Sequence, residues 1–222
     1  MGKLRNFVTP LHQKTNRNYL ERMNDNKILC MKISKKYSKD YWDGKRRFGY
    51  GGYNYIPGRW TQVAKKIIQT YNLNSKSKIL DVGCGKGFLL YEIKLLIPDI
   101  KIYGFDISRY ALKKIHKGLE KKNFIIHDAA RKFPYKTKTF DLVISLTTLH
   151  NLTLSGIKKA LLEISRVGKQ SYIMVESYKN DAQLFNLQCW ALTCATFLKN
   201  TEWQWFFKQC HYKGDFEFIY FK

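Results

Sequence analysis

Apolar and polar positions change their period along the chain, and each change marks a different kind of element. Up to residue 40 the chain is polar and basic, with a weak helical pattern over Tyr19–Met31 and no strand pattern. Residues 41–60 follow neither period: five glycines, one proline and seven aromatics crowd into twenty positions. From Thr61, Val63, Ile67, Ile68 and Tyr71 share one side of a helix that ends in the polar loop 72–78. Short apolar runs then alternate with longer amphipathic segments, the pattern of a mostly parallel sheet with crossover helices. Strands are predicted at 78–82, 101–105, 123–127, 141–146, 171–176 and 216–221, and helices at 87–97, 109–121, 155–168 and 201–210. Ser155 and Thr201 sit where helix N-caps belong and Gly168 where a C-cap belongs. Leu184, Leu187, Cys189, Trp190 and Leu192 predict one more helix over 181–198. The expected organisation is an α/β unit at 61–222, preceded by a basic extension at 1–60 whose Gly/aromatic part forms a lid.

Composition changes this picture little, whereas charge changes it more. An apolar share of 45% fits a compact fold, no stretch approaches the ~20 consecutive apolar residues of a membrane span, and residues 1–20 lack the apolar run of a secretory signal. A cytoplasmic protein is expected. Five widely spaced cysteines without a C-x-x-C pair suggest buried free thiols, with neither disulfides nor a zinc site. Forty Lys and Arg against seventeen Asp and Glu give a net charge of +23, which attracts nucleic acid, anionic membrane surfaces and phosphorylated substrates. The excess is spread over both halves of the chain and 31 of the 40 cations are lysine, a mix that compositional bias also produces.

The chemistry concentrates after the first predicted strand. Ile79-Leu-Asp-Val-Gly-Cys-Gly-Lys-Gly-Phe88 runs from a buried strand through a glycine turn into a helix. Glycines at 83, 85 and 87 clear the way for a ligand crossing the strand ends, and the helix start offers unpaired N–H groups. Phe88 stands where a dinucleotide fingerprint wants its third glycine, which disfavours NAD and FAD. Asp106 closes the second strand at the position where a carboxylate can accept both hydroxyls of a ribose. Asp128 and Ala129 follow the third strand, and Phe140-Asp-Leu-Val-Ile-Ser145 forms the fourth.

In these motifs the segment from about Trp60 to Glu176 resembles the class I, Rossmann-like, seven-stranded S-adenosylmethionine-dependent methyltransferases. The resemblance implies a doubly wound, mostly parallel sheet with helices on both faces and an antiparallel C-terminal edge strand. It also implies S-adenosyl-L-methionine as cofactor and S-adenosyl-L-homocysteine as product. Gly83, Gly85 and Gly87 would admit the methionine part, Asp106 with Ile107 the ribose, and Asp128 with Ala129 the adenine. Asp81 would orient the turn or the cofactor ammonium.

Methyl transfer from a sulfonium is an in-line displacement governed by alignment, and a base helps only if the acceptor must lose a proton. His150 beyond strand four and Glu176 at the end of strand five are the candidate bases, since ligands lie outside the carboxyl ends of such strands. Arg46, Arg47, Tyr50 and Tyr53 are candidates to hold substrate, and Arg59 the cofactor carboxylate or an acidic substrate. No metal is expected, for no carboxylate cluster suits one. The acceptor is expected to be a small, anionic metabolite or sugar derivative. Transfer to tRNA or rRNA is the alternative, although Ser145-Leu-Thr-Thr148 stands where a base-gripping [DNS]-P-P-[YF] loop would be. A non-catalytic S-adenosylmethionine-binding protein is the third reading.

Overall fold

The computed structural model describes residues 2–222. Ten helices and six strands follow one another: α1 (Thr9–Gln13), α2 (Tyr19–Asn24), α3 (Lys27–Ser34), α4 (Lys39–Asp43), α5 (Thr61–Tyr71), β1 (Lys78–Val82), α6 (Phe88–Leu96), β2 (Lys101–Asp106), α7 (Arg109–Lys113), β3 (Phe124–Ile126), β4 (Phe140–Leu146), α8 (Leu154–Val167), β5 (Gly168–Glu176), α9 (Asp181–Trp190), α10 (Asn200–Gln209) and β6 (Asp215–Ile219). The strand order is β3-β2-β1-β4-β5-β6, with β1 central.

Alternation along each strand divides the core. Ile79 faces a cluster with Val63, Ile67, Leu90 and Ile93 of α5 and α6, whereas Leu80 and Val82 face one with Ile157, Leu161, Trp203 and Phe207 of α8 and α10. Both faces are therefore covered, as an all-parallel sheet requires.

The antiparallel edge strand is a correction. All six strands are parallel, and β6 pairs with β5 in parallel register from Tyr172–Asp215 to Glu176–Ile219. The chain between them contains α9 and α10, a crossover long enough to return it to the starting side of the sheet. The outer edge of β6 meets the N-terminal segment: Arg5 N–H donates to the Phe216 carbonyl at 2.8 Å, and Phe216 N–H donates to the Lys3 carbonyl at 3.1 Å. That contact covers an otherwise open edge.

Two helices are shorter than their pattern predicts. α7 stops at Lys113, and Ile115 and Leu119 turn back under Gly87. α9 stops at Trp190, because the N–H groups of Ala195 and Thr196 donate to the carbonyl of His150 instead of continuing the helix. Thr153, not Ser155, caps α8 through its hydroxyl, and Lys199 precedes α10 without a side-chain cap. All five cysteines are buried and free. Among the described residues no helix is long and apolar enough to cross a membrane.

Candidate active site

The site lies over the carboxyl ends of β1, β2 and β4. Leaving β1, the chain forms the turn 83–87, whose three glycines have φ of 82°, 56° and 74°. A Cβ on Gly83 would run into the Thr148 side chain, and one on Gly85 would stand 2.9 Å from the Trp42 ring. The left-handed backbone and these close approaches together require glycine. Asp106 is buried and accepts from the backbone N–H of Gly85 at 2.8 Å and of Ser108 at 2.7 Å. Burial raises its pKa and the backbone donors oppose the rise.

Asp81 is 6% exposed and its Oδ1 has no hydrogen-bond partner. Burial, with the nearby Asp106 charge, pushes its pKa up to about 8. A buried carboxyl left unsatisfied beside a glycine cradle suits a cationic ligand group such as an ammonium.

Two cavities of about 380 and 440 Å³ meet here, sharing Gly83, Thr147, Trp42 and Tyr50 as walls. The first is lined by Asp106, Ile107, Asp128 and Ala129, the expected ribose and adenine positions, together with Phe105 and His127. The second is lined by Asp81, Gly85, Arg46, Arg59, Tyr50 and Tyr53, and by His12 and Arg17 from the N-terminal segment.

Residues 41–60 roof both cavities. Trp42 and Tyr50 are stacked with ring centroids 5.3 Å apart, Tyr50 and Tyr53 are 4.5 Å apart, and Tyr53 stacks on Phe88 at 4.9 Å. Polar bonds fix the roof to the sheet. Trp42 Nε1–H donates to Ser108 Oγ at 2.9 Å, and Ser108 in turn caps α7. Lys86, inside the glycine turn, reaches both carboxylate oxygens of Asp43 at 2.6 and 2.8 Å and the Tyr53 carbonyl at 2.7 Å. Glu92 of α6 accepts from the Tyr55 hydroxyl, the Gly58 N–H and the Thr61 hydroxyl.

The remaining expected residues lie elsewhere. His150 is 2% exposed and lines neither cavity. Its Nδ1 accepts from the Glu176 backbone N–H at 3.3 Å, so Nε2 carries the hydrogen and faces the Glu176 carboxylate at 3.4 Å. Burial lowers its pKa, opposed by Glu176. The pair ties the exit of β4 to the end of β5, and Glu176 also lines neither cavity. Arg47 pairs with Asp25 at 2.5 Å, away from both. Gly87 packs beneath the turn against Leu119 and Ile115. Sequence reasoning assigned no role to Lys86, Glu92, His12 or Arg17. In the sequence Lys86 is only the residue between two turn glycines, and no periodicity signals a side chain whose partner is 43 residues away.

A glycine turn between β1 and α6, an acidic end to β2 and a central β1 in a doubly wound sheet define a Rossmann-like ligand-binding protein. A family model described as a methyltransferase domain matches residues 73–214, and the chain belongs to that family, with the class I fold. Over 92 residues it is 35% identical to the malonyl-[acyl-carrier protein] O-methyltransferase of Legionella pneumophila, covering 40% of this chain and 32% of that one. Over 91 residues it is 32% identical to the ribosomal RNA small subunit methyltransferase C of Buchnera aphidicola, covering 40% and 26%. The chain thus spans a third or less of the length of these two relatives. The YcgJ protein of Bacillus subtilis shares the fold, with a TM-score of 0.54, 20% identity and 66% of each chain covered.

Proposed function

We propose that the chain binds S-adenosyl-L-methionine across the two cavities and transfers its methyl group to a small molecule held in the second. The observation that carries this reading is the continuity of the two cavities past the glycine turn, with an unpartnered Asp81 on one side and Asp106 on the other. Asp106 and Ile107 would hold the ribose, Asp128 and Ala129 the adenine, Asp81 the ammonium and Arg59 the carboxylate. The cofactor supplies a sulfonium methyl, already activated for displacement. The protein's share is alignment and exclusion of water, which the aromatic roof supports. With His150 and Glu176 bonded to each other outside the cavities, the reading requires no base from either.

An acceptor cavity of about 440 Å³ favours a small molecule over a polymer. The charge of +23 is the observation that favours RNA. A labelled-methyl assay against fractionated small-molecule extract and total RNA separates them. Counts in a small-molecule fraction, unaffected by ribonuclease, are expected. Counts in RNA that weaken steeply with salt overturn that choice of acceptor. Asp106→Ala and Gly85→Val should each abolish cofactor binding in calorimetry, and unchanged affinity in both overturns the methyltransferase reading itself.

A further inference from the structure

Three guanidiniums, those of Arg17, Arg22 and Arg46, lie 5.4, 5.0 and 5.0 Å from the centroid of one ring, Trp190 of α9. Like charges gathered on one ring repel each other unless a ligand or a carboxylate compensates them. Among the described residues none of the three has an ion-pair partner, whereas Arg5, Arg47, Arg131 and Arg166 all do. Composition does not explain the cluster. Lysine outnumbers arginine 31 to 9 in the chain, yet the second cavity is lined by Arg17, Arg46 and Arg59 and by no lysine. Its one lining carboxylate is Asp81, at the glycine turn.

The residues are also held in place. Arg17 donates through Nη1 to the carbonyls of His12 and Thr15 and through Nη2 to His12 Nδ1. Arg22 donates to the Arg46 carbonyl at 2.6 Å, and Arg46 Nη1 donates to the Gly49 carbonyl at 2.5 Å. Arg46 stands on the exposed rim and keeps Nε and Nη2 for a forked contact. Burial lowers the pKa of all three; Tyr19 and Glu176 oppose this for Arg17 and Asp25 opposes it for Arg22, while the charge of Arg46 adds to the lowering in both.

We propose that Arg46, with Arg17 supplying a second positive charge, forms an oxyanion subsite at the mouth of the second cavity, and that the methyl acceptor carries a carboxylate or phosphate that docks there. This rests on the reading of the second cavity as the acceptor site. Arg59, at the roof–α5 junction, is left for the cofactor's own carboxylate.

Calorimetry with two probes, inorganic phosphate and benzoate, tests the subsite in protein saturated with S-adenosylhomocysteine. Arg46→Gln should weaken the preferred probe by about tenfold, with Arg46→Lys between it and the unchanged protein, because the charge is kept and the fork lost. Arg17→Gln should weaken it to a smaller extent, and Lys65→Gln, which removes the same charge from an exposed position on α5, should leave it unchanged. Affinity for S-adenosylhomocysteine should stay the same in all four variants, which also shows that they fold. The stronger probe identifies the oxyanion. Absence of binding by either probe at about 10 mM overturns the proposal. So does an equal loss in Lys65→Gln, which marks diffuse charge, or a parallel loss of S-adenosylhomocysteine, which assigns the arginines to the cofactor. If the unchanged protein binds no S-adenosylhomocysteine while probe binding still depends on Arg46, the subsite stands and the methyltransferase reading falls.

Discussion

Asp81 is held at a cost to the free protein. Its carboxyl is pushed to about 8, above the unfolded value near 4, so the folded state keeps a proton that the unfolded chain releases. The free protein therefore loses stability as pH rises from about 4 to 8, and Asp81→Asn, which stays neutral throughout, should remove that loss when melting is followed against pH. In the proposed complex an ammonium favours the charged carboxylate. Binding of S-adenosylhomocysteine at pH 6.5 should then release close to one proton, measured by calorimetry in buffers of different ionisation enthalpy. Asp81→Asn should lose that release along with affinity, and an unchanged proton count would leave Asp81 without a part in binding. The positions of the turn glycines, Asp106 and Asp128 at the strand ends were legible because they can be counted along the chain from each apolar run. The place of His150 after β4 fits a pocket wall equally well, and only the fold reveals that its ring turns inward to accept from the N–H of Glu176 while its carbonyl accepts from residues 195 and 196.

At the scale of elements, the roof depends on two polar clamps. Lys86 joins the glycine turn to Asp43, and Glu92 joins α6 to the segment 55–61. Lys86→Met should keep the apolar stem, lose three bonds and weaken cofactor binding by about tenfold, with faster amide exchange across 42–55 and none of that effect in β4 or β5. Equal protection in both proteins would mean that the aromatic stack alone holds the roof. β1 was predicted residue for residue, since an apolar run bounded by a polar loop and a glycine turn has one reading. α7 and α9 were predicted too long because amphipathic spacing continues past the point where tertiary bonds take over the backbone. The direction of β6 could not be read from its own residues, as both directions bury the same alternate positions.

Across the whole molecule, the buried carboxylate of Glu217 in β6 gathers the N–H groups of Phe7, Val8 and Thr9 and the hydroxyls of Thr9 and Tyr172. Glu217→Gln would turn an amide N–H₂ toward those donors and should cost about 2–4 kcal/mol, a fall in melting temperature of roughly 4–16 °C for a chain of this size. A smaller fall would mean that the N-terminal segment is held by Phe7 and Val8 in the core. The contacts with Phe7, Val8 and Thr9 span 208 to 210 residues of sequence. Val8, His12 and Ile219 all line the second cavity, so its walls join segments that lie far apart in the sequence. Contacts of such high order close late, after the local β1–α6–β2 unit that carries Asp81, the glycines and Asp106. Because the proposed cofactor position reaches into this same cavity, competence to bind S-adenosylhomocysteine should return in refolding only when the distant segments close, later than the pairing of β1 with β2, so that a half-folded molecule holds no methyl donor.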